Sequence, residues 1–313
     1  MSPLAFFRYI CAHYIRSRIL LDVMRLHVWL ASAELSFLTN LFSMDFPFRL
    51  KNLKILECRE LLWTIPDGKV LINTINAYSY NVARKDSSFA DALTGCDVLL
   101  SDGTSIVLAC RFLRAKSRPK HRCTGWDLFR FEMEKLNGSV YSFLASQPAE
   151  GSSQVPYWKK RNPDRVKPKV IFVGSTEKVL SLIREKAAKE FPNIEVLTYS
   201  PPFKKELSRE DNDAIVKFIN DNDPDLVWIG MSAPKQEKWS FSHWQELDIH
   251  CHLGSIGAVF DFYAGTMPRA PLFMQRFGME WLFRWMKEPR RLFPRYGIGN
   301  PSFIWNIITE SFE

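Results

Sequence analysis

The chain has 313 residues, 46% hydrophobic and 24% charged, and its 42 Lys and Arg against 34 Asp and Glu leave a net charge of +8. That balance excludes a disordered or fibrous chain and points to a globular protein with an anionic partner, whether nucleic acid, acidic lipid headgroups or a diphosphate. The six cysteines form no C-x-x-C pair and no Cys/His cluster with metal spacing, which fits a reducing cytosol, and no uninterrupted apolar run reaches the ~18–20 residues of a spanning helix.

Residues 1–50 form an apolar, aromatic extension interrupted by Arg8, Arg16, Arg18, Asp22 and Arg25, without a small-residue cleavage site. Within it, 6–42 reads as one or two amphipathic helices, packed either on the protein's own core or on a membrane surface. From 51 to 266 strand-like and helix-like segments alternate. Strands are expected at 69–76, 97–101, 170–174, 194–199, 226–231 and 249–256. Helices are expected at 79–94, from the second strand to 113, and at 127–136, 177–191, 208–222 and 235–247. Helical spacers of this length imply an α/β fold, a mostly parallel sheet with helices on both faces. Right-handed crossovers then gather the strand-to-helix loops at one edge, where such sheets bind ligands. Residues 137–168 break the rhythm with loop chemistry and the basic cluster Lys159-Lys160-Arg161, and whether 140–145 adds a strand is open. After Gly265 the composition turns to Pro, Arg and aromatic residues, so 267–313 reads as a basic helical appendage distinct from the sheet domain.

Several polar residues fall at the expected carboxyl edge. Asp102 ends an apolar strand and precedes Gly103, which permits a sharp turn. A partly desolvated carboxylate there can act as a general base; capping of the helix at Thr104 or Ser105 is an equal alternative on these residues alone. Thr74 and Asn76 end another strand, with loop capping by the Asn amide as the alternative. Arg122, Thr124 and Gly125 precede a helix whose start suits an anion, and Asp127 reads as its first-turn carboxylate. After the strand at 226–231, Ser232 is the expected N-cap and Pro234 the first-turn residue, which aims Lys235 and Gln236 at the crevice.

The tail supplies Arg269, Arg276, Arg284, Lys287, Arg290, Arg291 and Arg295. Guanidinium forks match diphosphate oxygens, although a solvated basic helix pair touching anionic lipid would have the same composition. Asp211/Asp213 and Asp223/Asp225 lie away from the carboxyl edge, so no residue is assigned to a metal. Gly254-Ser255-Ile256-Gly257 lacks the third glycine of a dinucleotide fingerprint, and His243, His250 and His252 read as helix and strand residues.

The motifs Thr74-Ile75-Asn76-Ala77, Ser101-Asp102-Gly103, Thr124-Gly125-Trp126-Asp127, Ala233-Pro234-Lys235-Gln236-Glu237, Phe260-Asp261-Phe262-Tyr263-Ala264-Gly265, Arg269-Ala270-Pro271 and the run GMEWLFRWMKEPRR at 278–291 occur in this order. In them the chain resembles the WecG/TagA/CpsF glycosyltransferase family (glycosyltransferase family 26), over roughly residues 53–308. The resemblance implies a Rossmann-like sheet domain with a helical C-terminal appendage. It implies transfer of a sugar, with inversion, from a UDP-sugar donor to a polyprenyl-diphosphate-linked saccharide acceptor in surface polysaccharide biosynthesis. The enzyme would act peripherally, on the anionic inner face of a bacterial cell membrane, without cofactor, metal or nucleic acid. Asp102 is then the base. Thr74, Asn76, Gln236, Lys235, Arg122 and Gly125 contact substrate, and Arg269, Arg284 and Arg291 hold the diphosphate. Ser255 departs from a turn that is richer in glycine in that family, and 137–168 reads as an insertion. The sugar, the linkage and homo-oligomerisation are left open. A nucleotide-dependent oxidoreductase on the same sheet, or a non-catalytic basic module for lipid or nucleic acid, are the competing classes.

Overall fold

The computed structural model describes residues 48–138, 155–276 and 278–312. The helices expected in 6–42 and the open strand at 140–145 lie outside them. Six strands, β1 (Val70–Ile75), β2 (Val98–Ser101), β3 (Lys169–Gly174), β4 (Glu195–Tyr199), β5 (Leu226–Gly230) and β6 (His252–Ser255), form one sheet in the order β2-β1-β6-β5-β3-β4. Every pairing is parallel. Strands β1 and β3 are near-continuous apolar runs, the pattern of a strand covered on both faces.

Helices α1 (Ala77–Ala83), α2 (Ser87–Thr94), α3 (Thr104–Phe112), α4 (Gly125–Asn137), α5 (Tyr157–Arg161), α6 (Glu177–Glu190), α7 (Arg209–Asn222), α8 (Lys235–Ser242) and α9 (Val259–Ala264) follow the strands. One face of the sheet buries Ile72, Phe172 and Trp228 against Phe129 of α4, Leu180 of α6 and Phe260 of α9. The opposite face buries Ile171, Val227 and Ile229 against Ile219 of α7 and Trp239 of α8, and Leu99 of β2 against Tyr80, Phe89 and Ile106. The step β3 to β4 moves outward and the step β4 to β5 moves back. Right-handed crossovers therefore put α6 and α7 on opposite faces and open a crevice at the carboxyl ends of β3 and β5.

The differences from expectation are local. The helix expected at 79–94 is two helices, because Asp86 interrupts it by accepting the Phe89 amide at 3.1 Å and capping α2. Helix α8 stops at Ser242 rather than 247, and β6 begins at His252 rather than 249. Ser232 is not the N-cap of α8. It sits at φ +67°, and its carbonyl, not its hydroxyl, accepts the Gln236 amide at 3.1 Å, while Pro234 occupies the cap position. The basic cluster within 137–168 is partly neutralised in place: Arg161 pairs with Asp223, and Arg165 reaches Asp223 and Asp225, both at 2.7 Å.

The tail is helical: α10 (Leu272–Arg276), α11 (Glu280–Lys287), α12 (Pro289–Phe293), a π turn (Pro294–Ile298) and α13 (Gly299–Phe312). Pro289 is the first residue of α12, where its missing N–H has no helical partner to lose. The tail is not set apart from the sheet domain; residues 48–313 cluster as one unit. Phe303 and Ile307 of α13 join the core around Tyr80. The buried Glu310 carboxylate accepts from the Leu50 amide (3.1 Å), the Lys51 amide (2.8 Å) and the Tyr80 hydroxyl.

Candidate active site

The carboxyl ends of β1, β2, β3, β5 and β6 open into one cavity of about 1710 Å³, roofed by α11, α12 and the start of α13. Sites for one small molecule usually enclose roughly 300–1,000 Å³, so this one has room for two substrates together.

Asp102 stands where β2 ends. Its amide donates to the Ile75 carbonyl at 2.8 Å, which fixes it beside the end of β1. The next residue, Gly103, has φ +138°, a conformation side chains resist, and so the chain can turn into α3 at once. The capping alternative fails: the N-cap of α3 is Gly103, and no side chain caps that helix. Burial pushes the Asp102 carboxyl above its ordinary range, and the Glu280 charge adds to the shift; Arg295, Arg122 and Arg284 oppose it. Those four side chains are thus the electrostatic surroundings of Asp102.

Each reaches it for a local reason. The Cys123 amide donates to the Ser101 carbonyl at 2.9 Å, laying residues 121–123 along the end of β2 and delivering Arg122. Glu280 opens α11 and is bracketed by Arg122 (3.2 Å) and Arg269 (3.6 Å), whose guanidinium also lies over the Trp126 ring at 4.6 Å. Arg284, one turn further along α11, lies over Phe262, and its buried Nε has no partner. Arg295 lies over the Tyr78 ring at 4.6 Å.

The other expected residues fare differently. Thr74 is buried at the end of β1 and lines the cavity. Asn76 lines it too, but also caps α1: its Oδ1 accepts from the Ser79 amide (3.0 Å) and hydroxyl (3.3 Å), so the capping alternative holds for the oxygen. Gly125 begins α4 at the cavity wall, where Thr124 and Asp127 close a capping box. Lys235 sits at the rim with its ammonium on the Lys204 carbonyl (2.7 Å), rather than free in the crevice. Arg291 lines the cavity as well, exposed and paired with Glu288.

Gln236 is buried, and Nε2 donates to Glu237 Oε1 at 2.8 Å. Its amide rests against Gly257, which at φ +49° has no side chain to displace it, and Oε1 is left without a partner. Glu237 is also buried, with Oε2 unpaired and its carboxyl pushed up to about 7 by burial, against the Gln236 hydrogen bond.

Sequence reasoning missed Glu237 and Glu280 and named Arg295 only as one of the tail's cations. Both carboxylates stood inside recognised motifs, but only Glu280, a charge set between Met279 and Trp281 in an apolar run, carried a signal; Glu237, between Gln236 and Lys238, carried none. Among the described residues no group of three or more His, Cys, Asp or Glu could hold a metal ion. His252 is structural, its Nδ1 2.9 Å from Glu132 in the core.

A parallel α/β sheet with a carboxylate and several guanidinium groups at its ligand-binding edge is the arrangement that group transfer from a phosphorylated donor requires. The chain matches the glycosyl transferase WecG/TagA/CpsF family over residues 45–150 and 149–313. It is 24% identical over 221 residues to an N-acetylglucosaminyldiphosphoundecaprenol N-acetyl-beta-D-mannosaminyltransferase of Bacillus subtilis strain 168, covering 71% of this chain and 73% of that protein. Proteins of the same name from Bacillus spizizenii (26% identical, 67% of this chain and 68% of that protein) and Staphylococcus aureus strain MW2 (24%, 72% and 75%) are similar to it as well. The chain belongs to the WecG/TagA/CpsF family and is a glycosyltransferase.

Proposed function

We propose that this glycosyltransferase moves a sugar from a UDP-sugar to a polyprenyl-diphosphate-linked saccharide, with inversion, and that Asp102 is its base. The observation that carries the reading is Asp102 itself, a carboxylate raised by burial inside the cavity that Arg122, Arg284 and Arg295 share. Asp102 takes the proton from the acceptor hydroxyl as its oxygen attacks the anomeric carbon and UDP departs. A base whose pKa lies nearer the working pH removes that proton more effectively. The departing diphosphate gains negative charge, and preorganised guanidinium groups stabilise it without a metal. Thr74, the Asn76 amide nitrogen and the unpaired Gln236 oxygen are the polar groups left to orient sugar hydroxyls. Arg269 lines the same cavity, held by Glu280 and lying over the Trp126 ring.

The enzyme works at the inner face of a bacterial membrane, held peripherally. Among the described residues no helix is long and apolar enough to cross a membrane, while Phe273, Met286, Phe293 and Ile298 of the tail are exposed beside basic side chains. The test is release of UDP from UDP-N-acetylmannosamine with and without N-acetylglucosaminyl-diphosphoundecaprenol. Release that depends on the acceptor, with a β-linked product, is expected. Release that ignores the acceptor, or stabilisation by NAD and not UDP, would overturn the reading.

A further inference from the structure

The cavity does not end at Asp102. It continues as a groove between α3 and α13, floored by Ala109, Phe303 and Ile307. Both helices start at the catalytic end and carry large apolar side chains away from it at helical spacing. On α3 these are Leu108 and Phe112, 57% and 60% exposed; on α13 they are Ile304 and Ile308, 58% and 39% exposed. Positions four apart share a helical face, so each pair forms one wall. Arg295, whose charge acts on Asp102, and Asn300 line the same cavity, on the π turn and the start of α13. Along each helix the lining therefore runs from polar to apolar: Asp102 to Leu108 and Phe112 on α3, Arg295 and Asn300 to Ile304 and Ile308 on α13.

We propose that this groove seats the first isoprene units of the acceptor's lipid chain. The assignment rests on the transfer reading above, since it takes the acceptor to be a saccharide joined through diphosphate to a polyprenyl tail. Such a molecule has the same order as the groove: a hydroxyl to be deprotonated, a dianionic linker, then branched hydrocarbon. Charge complementarity fixes its direction, because the diphosphate belongs with Arg295 and the chain must leave along α3. The nine residues of α3 span about 13 Å, enough to hold the linker-proximal part of the chain and leave the remainder in the bilayer. The groove would thus let a substrate anchored in a membrane reach Asp102 without leaving it.

The test compares two acceptors with the same saccharide diphosphate, one on an undecaprenyl chain and one on a short water-soluble alkyl chain. In the double variant Leu108→Gln, Ile304→Gln, kcat/KM for the long-chain acceptor is expected to fall at least tenfold relative to that for the short-chain one. Both positions are exposed, so folding should be unaffected. An equal fall for both acceptors, or none, would overturn the proposal. A second measurement separates it from the reading it rests on. With p-benzoylphenylalanine in place of Leu108, irradiation with undecaprenyl diphosphate in phosphatidylcholine vesicles should give a prenyl diphosphate adduct, whether or not any sugar is transferred. A cross-link to residues 1–47, to a second copy or to phospholipid, or no cross-link, would assign the groove to another occupant and sink the proposal. Failure of wild-type turnover with a normal prenyl adduct would refute the transfer reading alone.

Discussion

Four carboxylates line the cavity, and the surroundings of Asp102, Glu280 and Glu237 assign those three different work. Asp102 lies among arginines with no hydrogen bond to its carboxylate among the described residues. Asp102→Asn keeps the shape and removes the proton acceptor, so kcat should fall by roughly 10²–10⁴ while UDP affinity in a titration stays near wild type. Near-normal turnover would remove Asp102 from the role of base. Glu280 holds Arg122 and Arg269 and also raises the Asp102 carboxyl. Glu280→Gln deletes that charge, so the acidic limb of the kcat/KM profile should move to lower pH; a limb that moves up or stays would contradict the sign. Glu237 is different again. Its carboxyl is raised from 4.5 to about 7, so between those values the folded protein binds more protons than the unfolded chain. Its contribution to stability therefore falls as pH rises through that window, by roughly 3 kcal/mol in all. Glu237→Gln should remove this slope, and melting temperatures of the two proteins should diverge in favour of the variant between pH 5 and pH 8.

At the scale of elements, the sheet was legible because its strands are apolar runs separated by amphipathic helices, and β5 with its Gly-Met-Ser exit marked the crevice. The rim residues Thr74, Asn76 and Asp102 were legible for the same reason, since a polar residue ending an apolar run must lie at the edge. Helix breaks were harder: Asp86 ends one helical pattern and starts another without changing the hydrophobic period. The docking of the tail could not be read at all. It depends on Glu310, a single carboxylate near the end of the chain that meets Leu50, Lys51 and Tyr80 across more than two hundred residues. Local patterning carries no trace of such a contact. Glu310→Ala would leave the buried Leu50 amide, the half-buried Lys51 amide and the Tyr80 hydroxyl without their acceptor. A loss of about 3–5 kcal/mol is expected, read as a lower denaturation midpoint, because unpaired buried polar groups cost far more than exposed ones. Glu310→Gln retains an acceptor oxygen and should recover part of it.

On the scale of the whole molecule, the proposed transfer brings a soluble donor and a lipid-bound acceptor to one residue, and on that proposal the cavity would open toward a membrane. The tail provides both attractions needed: exposed Phe293 and Ile298, and the exposed Arg290 and Arg291 beside them. Arg291 lies at the cavity mouth, largely exposed and, among the described residues, paired with Glu288, so on the membrane proposal it is placed to meet a lipid headgroup. A basic side chain near an anionic surface contributes about 1 kcal/mol, so Arg290→Ala with Arg291→Ala should weaken binding to phosphatidylglycerol vesicles roughly 30-fold in sedimentation. The electrostatic part should fade as salt shortens the screening length from about 8 Å at physiological strength to about 3 Å at 1 M, leaving a residue of binding that depends on Phe293 and Ile298. Turnover of a short-chain, water-soluble acceptor needs no bilayer, so the same double variant should retain it. Loss of that turnover would return Arg291 to the diphosphate and detach this face of the tail from the membrane.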